Sequence, residues 1–462
     1  MVDFFSKYSN NKKTFLKVFF VLVIFSFYLL TRFFLFSREG IASFGYDTGI
    51  YRHHIDGYFA RVHDSSITPF AFSGYSNFLK AFGVSTDQIL ITWYFAIAVF
   101  LFFIFFFFVK TYTNTSTAIL AIFLFSISII QYEFFWWFYY RNFLAFSWIF
   151  LCLIFFHFRS FLVIFPLVAL GSLHVLTLLP IGLTMLFLCC IQKENRRFYA
   201  ITGGVALAGI IVLNFQELFG YFVKAKEVGI GTQNLDASAS ELSGQFIDGW
   251  FFFKYSFLYL LFGIFGFFTY YKKYLEISLL TVVSFFLLIS GILFYRRFFV
   301  FLDVFSIFFA SIFFYHIWKK YPSRLLHLMG ISFFCYSIWF SSNYIFQKNP
   351  LFTRMELQEV QRTNEFPPAR LLAISSATAP WLYGFTHHKV IAPGVFEENV
   401  WNRSEWEEFW ITPSMERRHE LLNSYPSPLY IFVALGERGF ESILRSDSHF
   451  VQKQTWLWEY IP

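Results

Sequence analysis

The sequence predicts a polytopic α-helical membrane protein of about eleven transmembrane helices, followed by a small α/β domain. Three observations predict it. Hydrophobic residues make up 57% of the 462 positions and charged ones only 14%, with a mean hydropathy of +0.54, far from the averages of soluble domains. Apolar runs of about 18 residues recur along most of the chain, long enough to cross a hydrocarbon core as helices. After Ile345 the runs shorten to four or five residues bounded by Pro and Gly, as in Leu371 to Ser375, Lys389 to Ala392 and Leu429 to Val433, which suits buried strands.

The predicted spans are Phe15 to Phe36, Ile89 to Val109, Thr117 to Gln131, Phe143 to Phe158, Phe161 to Ser172, His174 to Ile191, Phe198 to Phe215, Trp250 to Tyr271, Tyr274 to Phe294, Phe298 to Trp318 and Leu325 to Ile345. The fifth and sixth are short, and Gly171, Pro180 and Gly182 favour an interruption there. Basic residues assign sides. Lys7, Lys12, Lys13 and Lys17, then Lys110, Arg159, Lys193 with Arg196 and Arg197, Lys272 with Lys273, and Lys319, Lys320 and Arg324 all fall on alternate loops, which makes that side the cytoplasm. The N-terminus is then inside and everything beyond the last span outside, in a multi-pass protein of the cell (plasma) membrane with an uncleaved first span.

This divides the chain into a membrane domain, 1–346, with outer loops 37–88, 132–142 and 216–249, and an extracytoplasmic α/β domain, 347–462. In the latter, Ser404 with Glu407 predicts a capping box ahead of a helix through Trp410, Met415 to Ser424 another helix, and Trp456 to Tyr460 a last strand. The net charge of +7 is accounted for by the cytoplasmic anchors and calls for no nucleic-acid partner. Cys152, Cys189, Cys190 and Cys335 all lie in predicted spans, which excludes a disulfide framework outside. The 74 Phe fall on all faces of the spans and carry no functional signal.

Chemistry is concentrated in the outer segments. Gly45-Tyr46-Asp47-Thr48-Gly49-Ile50-Tyr51-Arg52-His53-His54 places acid, base and imidazole groups about ten residues beyond the first span. Asp47, between two glycines that permit a tight turn and close approach to a ligand, is a candidate general base or metal ligand; the plainer reading is an Asp that makes a turn. His53, His54 and Asp56 offer imidazole and carboxylate ligands, but adjacent helical histidines diverge by about 100°, so ligand or headgroup hydrogen bonding is the expected role of Tyr51, Arg52, His53 and His54.

Glu133 opens the second outer loop among aromatics, where an acid must be solvated, paired (with Arg141, for example) or used. Arg296 and Arg297 lie on the outer side, where basic residues are depleted, and suit a lipid phosphate. His174, at the apex of the two short helices near the outer face, is a candidate substrate-binding residue, with a structural histidine as the plainer reading, and Asp303, one turn inside the tenth span, is expected to pair with Arg296 or another cation.

Together these features resemble the GT-C superfamily, polytopic glycosyltransferases that use polyprenyl-phosphate-linked sugars. The likeness lies in the outer Gly45-Tyr46-Asp47-Thr48-Gly49 motif, in Glu133 ahead of Tyr140-Arg141-Asn142, in short middle helices, in late outer arginines and in an outer C-terminal domain. The resemblance implies a glycosyltransferase moving a hexosyl or pentosyl group to an outer-face glycan, lipid or protein acceptor. It makes Asp47 the base or a magnesium or manganese ligand, Glu133 a second catalytic acid, and Arg297, Arg296 and Arg141 the donor-phosphate clamp. Thr48 following Asp47 departs from the paired acids of many members. With no nucleophile apparent, inversion in one displacement is expected. A polysaccharide polymerase or ligase of another membrane family is the alternative enzyme. A lipid or glycan flippase is the alternative transporter, and the absence of detectable repeats and the scarcity of charges deep in spans speak against it.

Overall fold

A computed structural model describes residues 2–57, 76, 78–137, 140–213, 247–291, 295–321, 323–375, 377–392 and 400–462. Most of the predicted outer loop 216–249 and part of 37–88 lie outside them. Thirteen helices precede the C-terminal domain among the described residues longer than a turn: α1 Val2–Glu39, α2 Thr48–Gly57, α3 Thr86–Tyr112, α4 Thr115–Ile127, α5 Ile129–Trp136, α6 Tyr140–His157, α7 Ile164–Leu173, α8 Val175–Ile191, α9 Arg196–Leu213, α10 Gly249–Tyr270, α11 Leu275–Ile289, α12 Phe298–Lys320 and α13 Arg324–Phe346. Each predicted span has a helical counterpart. By length and composition six of these segments can each cross a membrane alone, or up to seven with the bent pair α4 and α5 counted as one span, while the counterparts of the fourth, fifth, sixth and ninth spans are shorter apolar helices.

The predicted third span is broken by 57° at Ser128, and polar groups hold the break. A helix end leaves carbonyls without partners at its C-terminus and N–H groups without partners at its N-terminus, with the matching dipole signs. The buried Arg32 guanidinium donates to the Ser126 carbonyl at 2.6 Å and the Phe125 carbonyl at 3.3 Å, at the negative end of α4. Ser128 caps α5 by accepting from Gln131 N at 3.1 Å. Beyond it, the fully buried Asp303 accepts from Ser128 Oγ at 2.8 Å, from Gln131 Nε2 at 2.9 Å and from the Tyr259 hydroxyl. Asp303 is therefore held by two hydroxyls and an amide rather than by Arg296. It meets the positive end of α5, and Arg32 the negative end of α4, so the break carries its own charge complement inside the apolar bundle.

The C-terminal domain carries a five-stranded sheet: β1 Arg370–Ala373, β2 Lys389–Ile391, β3 Leu429–Phe432, β4 Phe450–Gln454 and β5 Leu457–Tyr460, in the order β2-β1-β3-β5-β4. β1 runs parallel to β2 and β3, and β5 antiparallel to β3 and β4. Side chains alternate between faces at period two. Leu371 and Ala373 pack with Trp381, Tyr430 and Phe432 on one face, while Leu372, Leu429, Ile431 and Trp458 pack with Trp401, Trp406 and Phe409 on the other.

Among the described residues five helices longer than a turn pack with it: α14 Arg354–Arg362, α15 Ala379–Phe385, α16 Arg403–Ile411, α17 Met415–Leu422 and α18 Arg438–Arg445. The capping box of α16 is formed two residues earlier than predicted. Asn402 accepts from Glu405 N at 3.1 Å, and Glu405 from Asn402 N at 2.7 Å, because Asn caps as well as Ser and the Glu lies at the third helical position.

Candidate active site

The segment predicted as the first outer loop begins as a turn leading into α2. Thr48 closes it by donating from N at 3.1 Å and from Oγ1 at 2.7 Å to the Gly45 carbonyl. Asp47 immediately precedes the helix, at its positive end, and accepts from the buried Tyr51 hydroxyl at 3.3 Å. Burial, and then the Asp47 charge, push the Tyr46 phenol above its usual range, which puts that phenol in the field of the same carboxylate.

The close approach that Gly45 and Gly49 permit is to the chain itself. A Cβ on Gly45 would lie 2.0 Å from the Trp137 carbonyl carbon, and one on Gly49 only 1.6 Å from the Pro380 carbonyl oxygen. The first contact seats the Asp47 turn on the end of α5, bringing together the two segments predicted to be outer loops. The second seats α2 on α15, and Gly384 faces it with equal intimacy, its Cβ position 2.2 Å from the Gly49 oxygen.

Arg52 and His53 complete that docking. Arg52 donates to the Gly384 carbonyl at 2.6 Å and to Asp87 at 2.8 Å, and lies over the Phe385 ring at 4.5 Å. His53 meets the Tyr383 carbonyl at 3.2 Å and stacks on the Tyr383 ring at 3.7 Å. Both were expected to bind substrate, and both are engaged with the C-terminal domain. The His54 ring stands at 76° to that of His53, the divergence expected of helical neighbours. Asp56 receives Lys80 at 2.8 Å and the Thr86 hydroxyl; burial alone would raise this carboxyl, but Lys80, Thr86 and Arg52 outweigh it and hold it below the usual range.

Glu133 is buried in α5, and among the described residues its ion-pair partner is Lys348. Lys348 Nζ stands 2.8 Å from Glu133 Oε1, the Tyr344 hydroxyl donates to the same oxygen at 2.7 Å, and the ammonium lies 4.1 Å above the Trp136 ring. The pair clamps α5, and with it Trp136 and Trp137, to the end of α13. Removing either partner strands a buried charge, at a cost of about 3 to 5 kcal/mol. Glu133→Gln and Lys348→Met should therefore each lower thermal stability, with the double variant less destabilised than the sum of the two; strict additivity in a double-mutant cycle would refute the clamp.

Arg296 and Arg297 form the turn that opens α12, with Arg296 Nε 3.4 Å from the Tyr295 hydroxyl. One turn further on, the Val300 carbonyl accepts from Gln131 of α5 at 3.2 Å. The arginines thus begin the helix that holds α5, whose far end carries the Asp47 turn. The Arg141 side chain lies outside the described residues. His174 is the N-cap of α8, accepting from Thr177 N at 3.2 Å and meeting Thr177 Oγ1 at 2.6 Å, so its Nδ1 serves the break between α7 and α8.

Among the described residues no pair of further His, Cys, Asp or Glu side chains joins Asp47 as a ligand set; the one such cluster of three lies at His419, Asp447 and His449. Sequence reading missed Lys348, Tyr344 and Arg32. A lone cation just beyond the last span and one inside the first were the available signals for Lys348 and Arg32.

No protein-family model matches the sequence, and no curated protein matches it. Among solved structures the chain is similar to crystal structures of the oligosaccharyltransferase of Archaeoglobus fulgidus. With its complex with zinc and sulfate the TM-score is 0.61 at 10% identity, over 96% of this chain and 73% of that one. Its apo form gives 0.61 at 11%, over 90% and 69%. Its form tethered by a disulfide to an acceptor peptide containing the NVT sequon gives 0.61 at 11%, over 97% and 75%. The shared feature is the fold, and the likeness spans the helical part and the C-terminal domain together.

Proposed function

We propose that the protein is a membrane glycosyltransferase that transfers a sugar from a polyprenyl-phosphate donor to an acceptor at the outer face of the membrane. The observation that carries this reading is the seating of the Asp47 turn on the end of α5, within a fold like that of an oligosaccharyltransferase over nearly the whole chain. In this reading the polyprenyl tail lies among the helices and the phosphate reaches Arg297 and Arg296. Asp47 takes the proton from the acceptor as its nucleophilic atom forms a bond to the anomeric carbon. The bond from that carbon to the phosphate oxygen breaks, and the electron pair leaves on the phosphate, where fixed guanidinium charge stabilises it. A single displacement inverts the anomeric centre. Glu133, held by Lys348, acts as a positioning residue for α5. No step is routed through a metal, since the described donor set at Asp47 does not fit one.

The acceptor is a hydroxyl compound in the reading built from the sequence, and a peptide bearing a sequon in the one that the fold likeness favours. The test is transfer by purified protein in detergent, from polyprenyl-phosphate sugars to a glycan, lipid or sequon-peptide acceptor. Arg297→Ala should lower kcat by roughly two orders of magnitude, the effect of losing one fixed transition-state donor. Equal rates for Arg297→Ala and wild type would remove Arg297 from the phosphate site, and no transfer from any such donor would overturn the function.

A further inference from the structure

We infer that the C-terminal domain holds a zinc-class metal site at the outer edge of its sheet, formed by His419, Asp447 and His449. The three come from two separate pieces of chain, His419 from α17 and Asp447 and His449 from the turn before β4. One ligand atom from each lies within 4.8 Å of the others. His419 Nε2 stands 2.7 Å from Asp447 Oδ2, and His449 Nδ1 stands 2.9 Å from Asp447 Oδ1, so two imidazoles converge on one carboxylate. In tetrahedral zinc with bonds near 2.0 to 2.1 Å, ligand atoms stand about 3.3 Å apart. The cluster therefore needs only a small opening, and the half-exposed His449 side chain has room to make it.

The surroundings orient His419 for this role. Tyr460 gives its hydroxyl proton to Asn423 Oδ1 at 3.0 Å, so its oxygen accepts from His419 Nδ1–H at 3.1 Å. With Nδ1 occupied in this way, Nε2, which faces Asp447, is the nitrogen left to bind an ion seated between them. A ligating histidine held through its other nitrogen is the usual outer support of a metal site. The turn is fixed as well, since His449 N donates to Asp447 Oδ1 at 2.9 Å. Two imidazoles and one carboxylate suit zinc rather than calcium or magnesium, with water as the fourth ligand. The bound ion would tie α17 to the β4–β5 hairpin. This site is separate from the Asp47 turn, and the inference does not depend on the proposed reaction.

The test uses the full chain in detergent, stripped with a chelator and titrated with zinc against a chromophoric competitor, with cobalt absorption as the readout of geometry. One zinc per chain is expected, a four-coordinate cobalt spectrum, and a melting temperature that rises with zinc. His449→Ala, at the exposed side of the site, should weaken binding at least 100-fold while the chain stays folded. Tyr460→Phe should weaken it roughly 10- to 100-fold through the lost support. Asp47→Asn should bind zinc as wild type does. Undiminished uptake in both His449→Ala and His419→Ala, or no uptake from micromolar zinc, would overturn the site and leave a hydrogen-bonded cluster of His419, Asp447 and His449.

Discussion

Asp47→Asn is expected to lower kcat for glycosyl transfer by about 10²- to 10⁴-fold, the usual contribution of a general base, with the donor KM nearly unchanged. The substitution is isosteric. The amide oxygen of Asn can still accept from the Tyr51 hydroxyl that now lies 3.3 Å from Asp47, and Thr48 still closes the turn on the Gly45 carbonyl, so the melting temperature should hold. Only basicity and charge are lost. An interaction made chiefly in the transition state appears in kcat, whereas uniform binding appears in KM. A variant that transfers sugar at the wild-type rate would rule out Asp47 as the base, and one that loses only donor affinity would recast it as a binding group.

Much of the fold is legible in the residue order because it rests on local signals. Apolar runs mark the helices, Ser128 and Asn402 are of capping type, and the all-buried β3 reads as a continuous apolar segment. The strand β4 does not, since Phe450 alone of its five residues is buried and an edge strand carries polar side chains. The candidate site is drawn from residue types in the sequence, and their partners are much less legible there. Gly45 and Gly49 announce a close approach, but which backbone approaches is decided by contacts with Trp137, about 90 residues away, and Pro380, more than 300 away. Glu133 announces a need for a partner, and Lys348 satisfies it across 215 residues. Arg32 and Asp303 each look anomalous in an apolar run, and only the bend of α4 against α5 reveals that they complement its two exposed ends.

Gly49→Ala is expected to undock the C-terminal domain from α2. The added Cβ would lie 1.6 Å from the Pro380 oxygen and 3.1 Å from Trp381 N. The opposing atoms are backbone, so no rotamer change relieves the clash and the two helices must separate. Overpacking of this kind costs about 1 to 3 kcal/mol or more. Separation also lengthens the bonds from Arg52 to the Gly384 carbonyl and from His53 to the Tyr383 carbonyl, of which the charged one is worth about 1.5 to 3 kcal/mol. These losses fall on one interface, so amide exchange in α15 and proteolysis in the segment before α14 should both rise steeply. Gly384→Ala should act in the same way, because its Cβ meets the Gly49 oxygen from the other side. Gly439→Ala, with open space around it, is the control that should change neither readout. Exchange in Gly49→Ala as slow as in wild type would show that the docked arrangement is not what the chain adopts in the membrane. If instead transfer falls together with protection, the domain is part of the machinery: α2 follows directly from the Asp47 turn, so releasing one end of the helix from α15 loosens the carboxylate at the other.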